Sequence, residues 1–232
     1  MTSIRFDLHT HTIFSPDSAI TPDEFVRRCV AAGLDCVAVT EHDTIDGALY
    51  VRDIAPFRVV IGEEVRSREG EIIGLFLRET VPPGLSAEET VMRIREQGGV
   101  VAIPHPFDRF RDGLGEDAML RILPEIDVIE VFNGRIRLAR DNEHAERFAR
   151  QYGITMAGGS DAHSASEVGR TYVVMPDFET PAEFLDSLCS ATIVGRRAPR
   201  WVYAMSSFEK LRRRAGWGRT LPERPHTADT SR

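Results

Sequence analysis

The sequence predicts an α/β protein whose strands close into a distorted barrel of fewer than eight units. Strand and helix patterns alternate along the body of the chain. The strand segments, such as Cys36-Val37-Ala38-Val39 and Val100-Val101-Ala102-Ile103, are largely continuous apolar runs, as in a sheet covered on both faces. Polar clusters then recur just after the strands, and these decide between an open sheet and a barrel. In an open sheet only neighbouring strand ends converge, whereas in a closed barrel every C-terminal strand end faces one mouth.

The first strand, Ile4-Arg5-Phe6, runs into Asp7-Leu8-His9-Thr10-His11. Two histidines two apart on an extended segment point the same way and can reach one metal ion. A turn with Ser15-Pro16-Asp17-Ser18 follows, and Thr21-Pro22-Asp23-Glu24 opens a helix that Gly33 closes. A second strand at about 35–40 ends at Thr40-Glu41-His42-Asp43, and a short helix spans about 45–54. A third strand, Phe57–Ile61, ends at Glu63-Glu64, and Ile72–Leu77 reads as another buried strand. Ser86-Ala87-Glu88-Glu89 caps a helix stopped by Gly98-Gly99, and strand 100–103 leads to His105. Residues 108–115, rich in Arg, Asp and Gly, read as an exposed loop. A helix near 116–123, strand 127–132 ending at Asn133, helix 138–152 and strand 154–157 lead to Ser160-Asp161-Ala162-His163. Strand 171–175, a helix capped by Thr180 and a short strand at 192–194 complete the body. From Arg200 the periodicity fades. Trp201–Phe208 is expected to pack back on the body, and 218–232 reads as a disordered end. The expected organisation is a catalytic domain at 1–199 and a basic extension at 200–232.

Of the seven histidines, His9, His11, His42, His105 and His163 follow strands, a placement that packing alone does not demand; His144 and His226 read as surface residues. Apolar content of 42% and charged content of 28% fit a soluble globular protein, and no apolar run approaches a membrane span. Eight of the 29 Lys and Arg residues but only 3 of the 36 Asp and Glu residues lie in 200–232, which leaves 21 against 33 in the body. An acidic body argues against duplex nucleic-acid binding and suits a site that holds cations. Cys29, Cys36 and Cys189 are odd in number and widely spaced, so they read as buried apolar residues in a reducing cytoplasm. The chain enters a strand at once, without a signal peptide.

Oxygen and nitrogen ligands without thiolate select zinc, manganese or iron. His9, His11, Asp17, His42, Glu64, His105, Asp161 and His163 exceed what one ion can use, so two or three divalent ions are expected. Such a centre lowers the pKa of a bridging water to roughly 7 and suits phosphate-ester hydrolysis. Taken singly, Asp17 reads as a turn residue, Glu64 as a solvated strand end and Asp161 as a cap. As a set they share one structural position.

These residues resemble the PHP family, the polymerase and histidinol phosphatase domain, over about residues 4–195. The resemblance rests on Asp7-x-His9-x-His11, Ser15-Pro16-Asp17, Thr40-Glu41-His42-Asp43, Gly62-x-Glu64, His105-Pro106 and Ser160-Asp161-Ala162-His163, in the family's order. It implies a distorted (β/α)₇ TIM-like barrel with a trinuclear centre. One ion would take His9, His11, Glu64 and Asp161, a second Asp17, His42 and His163, and a third Glu64 and His105. His11, Glu64, Asp161 and His163 are the expected catalytic residues, Asp7 supports, and Glu63 points away. Two departures stand out. Glu71 occupies a place where many members carry His, and Asn133 is the candidate where many complete the third ion with His or Cys. No stretch between Gly98 and Arg170 is long enough for an inserted lid, so a comparatively open mouth is expected.

The expected activity is hydrolysis of a small phosphate ester by a metal-bridging hydroxide, on a nucleotide or oligonucleotide end, with histidinol phosphate as the alternative. Arg66, Arg135, Arg137 and Arg170 are the candidates for the substrate phosphate. An amidohydrolase would usually need a bridging lysine, and the chain has only Lys210, in the extension. A non-catalytic scaffold would have no use for so complete a ligand set.

Overall fold

The computed structural model describes residues 2–199, 201–217 and 220–223. Nine strands form one sheet: β1 (Ser3–Asp7), β2 (Cys36–His42), β3 (Arg58–Arg66), β4 (Glu71–Leu75), β5 (Val100–Ile103), β6 (Val128–Asn133), β7 (Thr155–Gly159), β8 (Thr171–Pro176) and β9 (Thr192–Gly195). Their order is β7-β6-β5-β4-β3-β2-β1-β8-β9. Strands β1, β2 and β3 are parallel, as are β5, β6 and β7. The ring closes just beyond β1 and β7, where Thr10 bridges Ala162 in parallel. There His11 N–H donates to the Ala162 carbonyl at 3.1 Å and Asp161 N–H to the His9 carbonyl at 2.8 Å. Seven strands thus make the distorted TIM-like barrel. Strand β8 pairs antiparallel with Ser3–Phe6 of β1, and β9 pairs antiparallel with β8.

One link departs from repeated crossovers. Strand β4 is antiparallel to both β3 and β5. Strand β3 runs five residues past Ile61, to Arg66, so only Ser67–Gly70 separate it from β4. A crossover needs a dozen or more residues, so this short link must be a hairpin.

The helices are α1 (Pro22–Ala32), α2 (Asp46–Ile54), α3 (Ala87–Glu96), α4 (Glu116–Arg121), α5 (Ala139–Tyr152), α6 (Pro181–Leu188) and α7 (Trp201–Arg214). Thr21, Ser86 and Thr180 accept the N–H groups of Glu24, Glu89 and Glu183, and at Ser86 the capping box is reciprocal. Helix α7 stands where the sequence pattern fades. The disordered end expected at 218–232 lies outside the described residues, apart from 220–223, which carry no helix or strand. Among the described residues, no helix is long and apolar enough to cross a membrane.

Alternation along the strands sorts the core. Phe6, Cys36, Ala38, Val60, Ile73, Val100, Ala102, Val128 and Ala157 fill the barrel interior. Val37 and Val39 pack against Phe25 of α1 and Ala48 of α2, and Val101 and Ile129 against Ile94 of α3 and Phe148 of α5. The same inward phase, carried two residues at a time toward the C-terminal ends, reaches Thr40 and His42 on β2, Gly62 and Glu64 on β3, and Glu130 on β6. The interior is therefore apolar below and lined by polar and ionisable side chains above. Cys29 and Cys36 are buried as expected, but Cys189, at the end of α6, is exposed. His144 is half-buried and stacks on Phe107, with ring centroids 3.7 Å apart, rather than standing in solvent.

Candidate metal centre

Four atoms surround one point at the barrel mouth. His9 Nε2 and His11 Nε2 lie 2.9 Å apart, and each is 3.3 Å from Glu64 Oε2. Asp161 Oδ1 is 3.8 Å from His9 Nε2 and 3.6 Å from His11 Nε2. Metal bonds of about 2.0–2.2 Å give ligand–ligand edges of roughly 3–3.5 Å, so the four atoms fit the corners around one ion. Beside them, Asp17 Oδ1 is 3.5 Å from His42 Nε2 and 3.2 Å from His163 Nε2. On the other flank His105 Nε2 is 3.0 Å from Glu64 Oε1 and 3.6 Å from Glu71 Oε2. Glu71 also approaches His42 Nδ1, at 3.6 Å. Ligating atoms of His11, His42 and His163, of His9, Glu64 and His105, and of His42, Glu64 and Glu71 each cluster closely enough for one cation. Glu64 stands between the groups, with one oxygen toward each flank.

Neighbouring groups fix the ring tautomers, leaving Nε2 as the lone pair. His9 Nδ1–H donates to Glu130 Oε1 at 3.3 Å. His11 Nδ1–H donates to Ser15 Oγ at 2.9 Å, and that hydroxyl donates to Glu41 at 2.5 Å. His163 Nδ1–H donates to the Asp161 carbonyl at 2.8 Å. This is how metal-binding histidines are ordinarily oriented. Asp17 Oδ1 and His42 Nδ1 are buried without a hydrogen-bond partner among the described residues, as befits lone pairs aimed at a cation. Asp161 and His105 both have positive φ, 54° and 27°, a backbone state that clusters at functional sites.

Burial dominates the electrostatics. It would push every carboxyl upward, but at Asp161 Arg111 and His9 outweigh it, and at Glu64 His9 and His42 do; both stay well below the carboxylate range. Glu71 is pushed up to about 7 by burial and then by the Glu64 charge beside it. Burial and the neighbouring His163 hold His11 well below the usual imidazole range. A cation would be the natural counter-charge for so many buried carboxylates.

The structure brings His9, His11, Asp17, His42, Glu64, His105, Asp161 and His163 to one mouth. Glu63 points outward and accepts Val81 N–H at 2.8 Å. Asn133 reaches the same region but is committed elsewhere. Its Nδ2 donates to Glu130 at 2.8 Å and Asp161 at 3.0 Å, while its oxygen accepts from Arg135 N–H at 2.8 Å and Arg111 at 3.1 Å. Arg66 pairs with Asp43, Arg135 with Glu167, and both line the mouth. Arg137 lies beside it, between Phe110 and Tyr203. Arg170 is elsewhere, in a surface cleft with Tyr172 and Arg196.

Sequence reading missed three contributors. Glu130, the charged residue within the apolar run Val128–Phe132, carried a signal: a buried strand has no other use for it. Arg111 sits in the segment expected to be an exposed loop, which is exposed only in part: Arg109, Phe110 and Asp112 are exposed, while Asp108 and Leu114 are buried. Arg111 donates to Asp161, and its Nε to Asp108 at 2.7 Å. Lys210, expected in an irregular extension, lies on α7 and lines the mouth, so the mouth is flanked rather than open.

Comparisons with known proteins agree with this geometry. The profile of the PHP domain matches residues 7–98, and that of the PHP-associated region matches 139–193. An uncharacterized protein from Methanocaldococcus jannaschii is 34% identical over 196 residues, 80% of this chain and 79% of that protein. A two-domain protein from Bacteroides vulgatus, described as containing a predicted PHP-like metal-dependent phosphoesterase, superposes with a TM-score of 0.70 at 20% identity, over 90% of this chain and 70% of that one. The lesion-specific endonuclease EndoQ from Pyrococcus furiosus superposes with a TM-score of 0.59 at 18% identity, over 83% of this chain and 58% of that one. At these identities the two structures speak for the fold. The archaeal relative and the profile match, which spans His9, His11, Asp17, His42 and Glu64, settle the kinship: the chain belongs to the PHP family.

Proposed function

We propose that the chain is a phosphoesterase that hydrolyses a small phosphate ester at two or three divalent ions, manganese, zinc or iron. The carrying observation is the convergence of His9, His11, Glu64 and Asp161 on one point. In this reading those four hold one ion, and Asp17, His42 and His163 hold a second. Glu64, His105 and Glu71 hold the third, with Glu71 in the place first expected of Asn133, whose oxygen is already taken by two donors. Bound ions would supply Lewis acidity and water of lowered pKa. The chain's own residues do the rest. Glu130, Ser15 and the Asp161 carbonyl hold three imidazoles in orientation, and Arg111 anchors Asp161. Arg66 and Arg135 line the cavity, pinned by Asp43 and Glu167, with N–H groups for phosphate oxygens. The cavity, about 320 Å³, is at the small end for ligand sites, which favours a phosphoryl group on a compact leaving group or a chain end.

The test is phosphate release from a panel of phosphorylated metabolites by manganese-loaded protein. Asp161→Asn and His11→Ala should each remove nearly all of it. Oxygen-labelled water should deliver its label to phosphate, because no serine or cysteine among the described residues lines the cavity. Absence of release across the panel, or a trapped phosphoprotein, would overturn the reading.

A further inference from the structure

We infer that Ser15 and Glu41 are a positioning pair that couples the first two metal positions, so that those two ions load together rather than one at a time. This rests on the metal positions proposed above and adds how they are linked, whichever ester the centre hydrolyses.

The link starts from one hydroxyl. Ser15 Oγ accepts His11 Nδ1–H at 2.9 Å and the His42 backbone N–H at 3.0 Å, and it donates to Glu41 Oε2 at 2.5 Å. A serine hydroxyl has one proton and two lone pairs, so its whole capacity is used. His11 belongs to the group around Glu64 and Asp161, and His42 to the group around Asp17 and His163. The hydroxyl therefore touches a candidate ligand residue of each position.

Glu41 makes the link stiff. By the two-residue alternation it points to the opposite side of β2 from His42, yet it is fully buried. It accepts Thr12 N–H, at 2.9 and 3.1 Å from its two oxygens, and the hydroxyls of Thr12 and Ser15. Thr12 follows His11. The turn from Thr12 to Ser18, closed by Ser15 N–H on the Thr12 carbonyl at 3.0 Å, carries Asp17. One carboxylate thus joins the segment that bears His11 and Asp17 to the strand end that bears His42. It has no room to swing, since a Cβ on Gly47 of α2 would lie 2.4 Å from Glu41 Oε1. With Glu41 accepting throughout, the Ser15 proton goes to Glu41 and the His11 Nδ1 proton to Ser15, and His11 Nε2 is left free for an ion. An ion at either position orders this shared chain, so the other has less left to order, which is positive coupling.

The probe is zinc, added at about one ion per chain to the full-length protein after chelator treatment. Native mass spectrometry counts chains that hold no ion, one ion, or two and more, and competition with a chromophoric chelator gives the stepwise affinities. Two equal and independent positions would leave about half of the chains with one ion, and a tenfold coupling would leave about a quarter, which is the result expected of the parent. Ser15→Ala deprives His11 Nδ1–H and the His42 N–H of their acceptor. Glu41→Gln keeps the shape but turns an amide N–H toward Ser15 or toward Thr12 N–H; facing Ser15, it reverses the chain and puts the His11 proton on Nε2. Each variant should return one-ion chains to about half or more and weaken both positions by about 10–100-fold. Glu64, which also stands between the positions, is untouched in both, so the change belongs to the pair. A merely structural role would lower the melting temperature of the metal-free protein and leave the one-ion fraction at the parental value. That result, a loss confined to one position, or a parent in which one-ion chains predominate would overturn the inference. A parent that takes up no zinc would overturn it together with the metal centre, whereas paired loading without phosphate release from any ester would sink the phosphoesterase reading alone.

Discussion

Asn133→Ala separates a ligand from a structural strut. The Asn133 side chain is fully buried and makes four hydrogen bonds, two donated to Glu130 and Asp161 and two accepted from Arg135 N–H and Arg111. After truncation Glu130 keeps the His105 N–H and Asp161 keeps Arg111. The Arg135 N–H loses its acceptor in a buried place. Two bonds to carboxylates also go, each of the charge-assisted kind. One orphaned donor at about 1–3 kcal/mol, with partial loss of the carboxylate bonds, gives about 3–5 kcal/mol for the metal-free protein. For a domain of this size that is a fall in Tm of roughly 6–20 °C. The assay is urea and thermal unfolding after chelator treatment, followed by reloading and elemental analysis. The expected outcome is lower stability with the number of ions per chain unchanged. A variant as stable as the parent when metal-free, but one ion short when reloaded, would refute this reasoning and make Asn133 a ligand.

Protein prepared without chelator should hold at least two transition-metal ions per chain, and two ions present at a hundredfold over Kd should add about 5 kcal/mol of stability that chelation removes; elemental analysis below one ion per chain after reconstitution would count against the centre. Glu130→Gln should weaken metal binding by about 10–100-fold in competition with a chromophoric chelator while the circular dichroism is retained, because His9 loses the carboxylate that orients it; unchanged affinity would remove Glu130 from that role. At Gly159 an added Cβ would lie 2.4 Å from Glu130 Oε1 and 2.5 Å from His9 Cβ, so Gly159→Ala should cost about 1–3 kcal/mol and loosen the metals together, and a parent-like melt would show that the pair can yield.

The candidate ligand set was legible because its grammar is local. His9 and His11 share a side by the two-residue period, and His42, Glu64 and Asp161 each sit at or just past the end of an apolar strand whose phase carries them inward. What supports the ligands was not legible, because it is non-local. Glu130 meets His9 across 121 residues and Arg111 meets Asp161 across 50, and no spacing rule joins such pairs. The reversal of β4 hid in a strand boundary: a third strand ended at Ile61 leaves room for a crossover, and one ended at Arg66 does not. Helix α7 was missed for a different reason. A helix is ordinarily recognised by an apolar stripe that faces the core. Here Val202 is buried, but Trp201, Met205, Phe208 and Leu211 are 52%, 40%, 62% and 66% exposed, while Glu209 is buried and Ser206, Lys210 and Arg213 are turned toward the barrel. The polarity is inverted because the surface beneath α7 is not an apolar core but the mouth of a carboxylate-rich centre. A helix that covers such a mouth must offer it cations and hydroxyls. Lys210 and Arg213, which read from composition as part of a charged tail, are the trace of that requirement in the sequence.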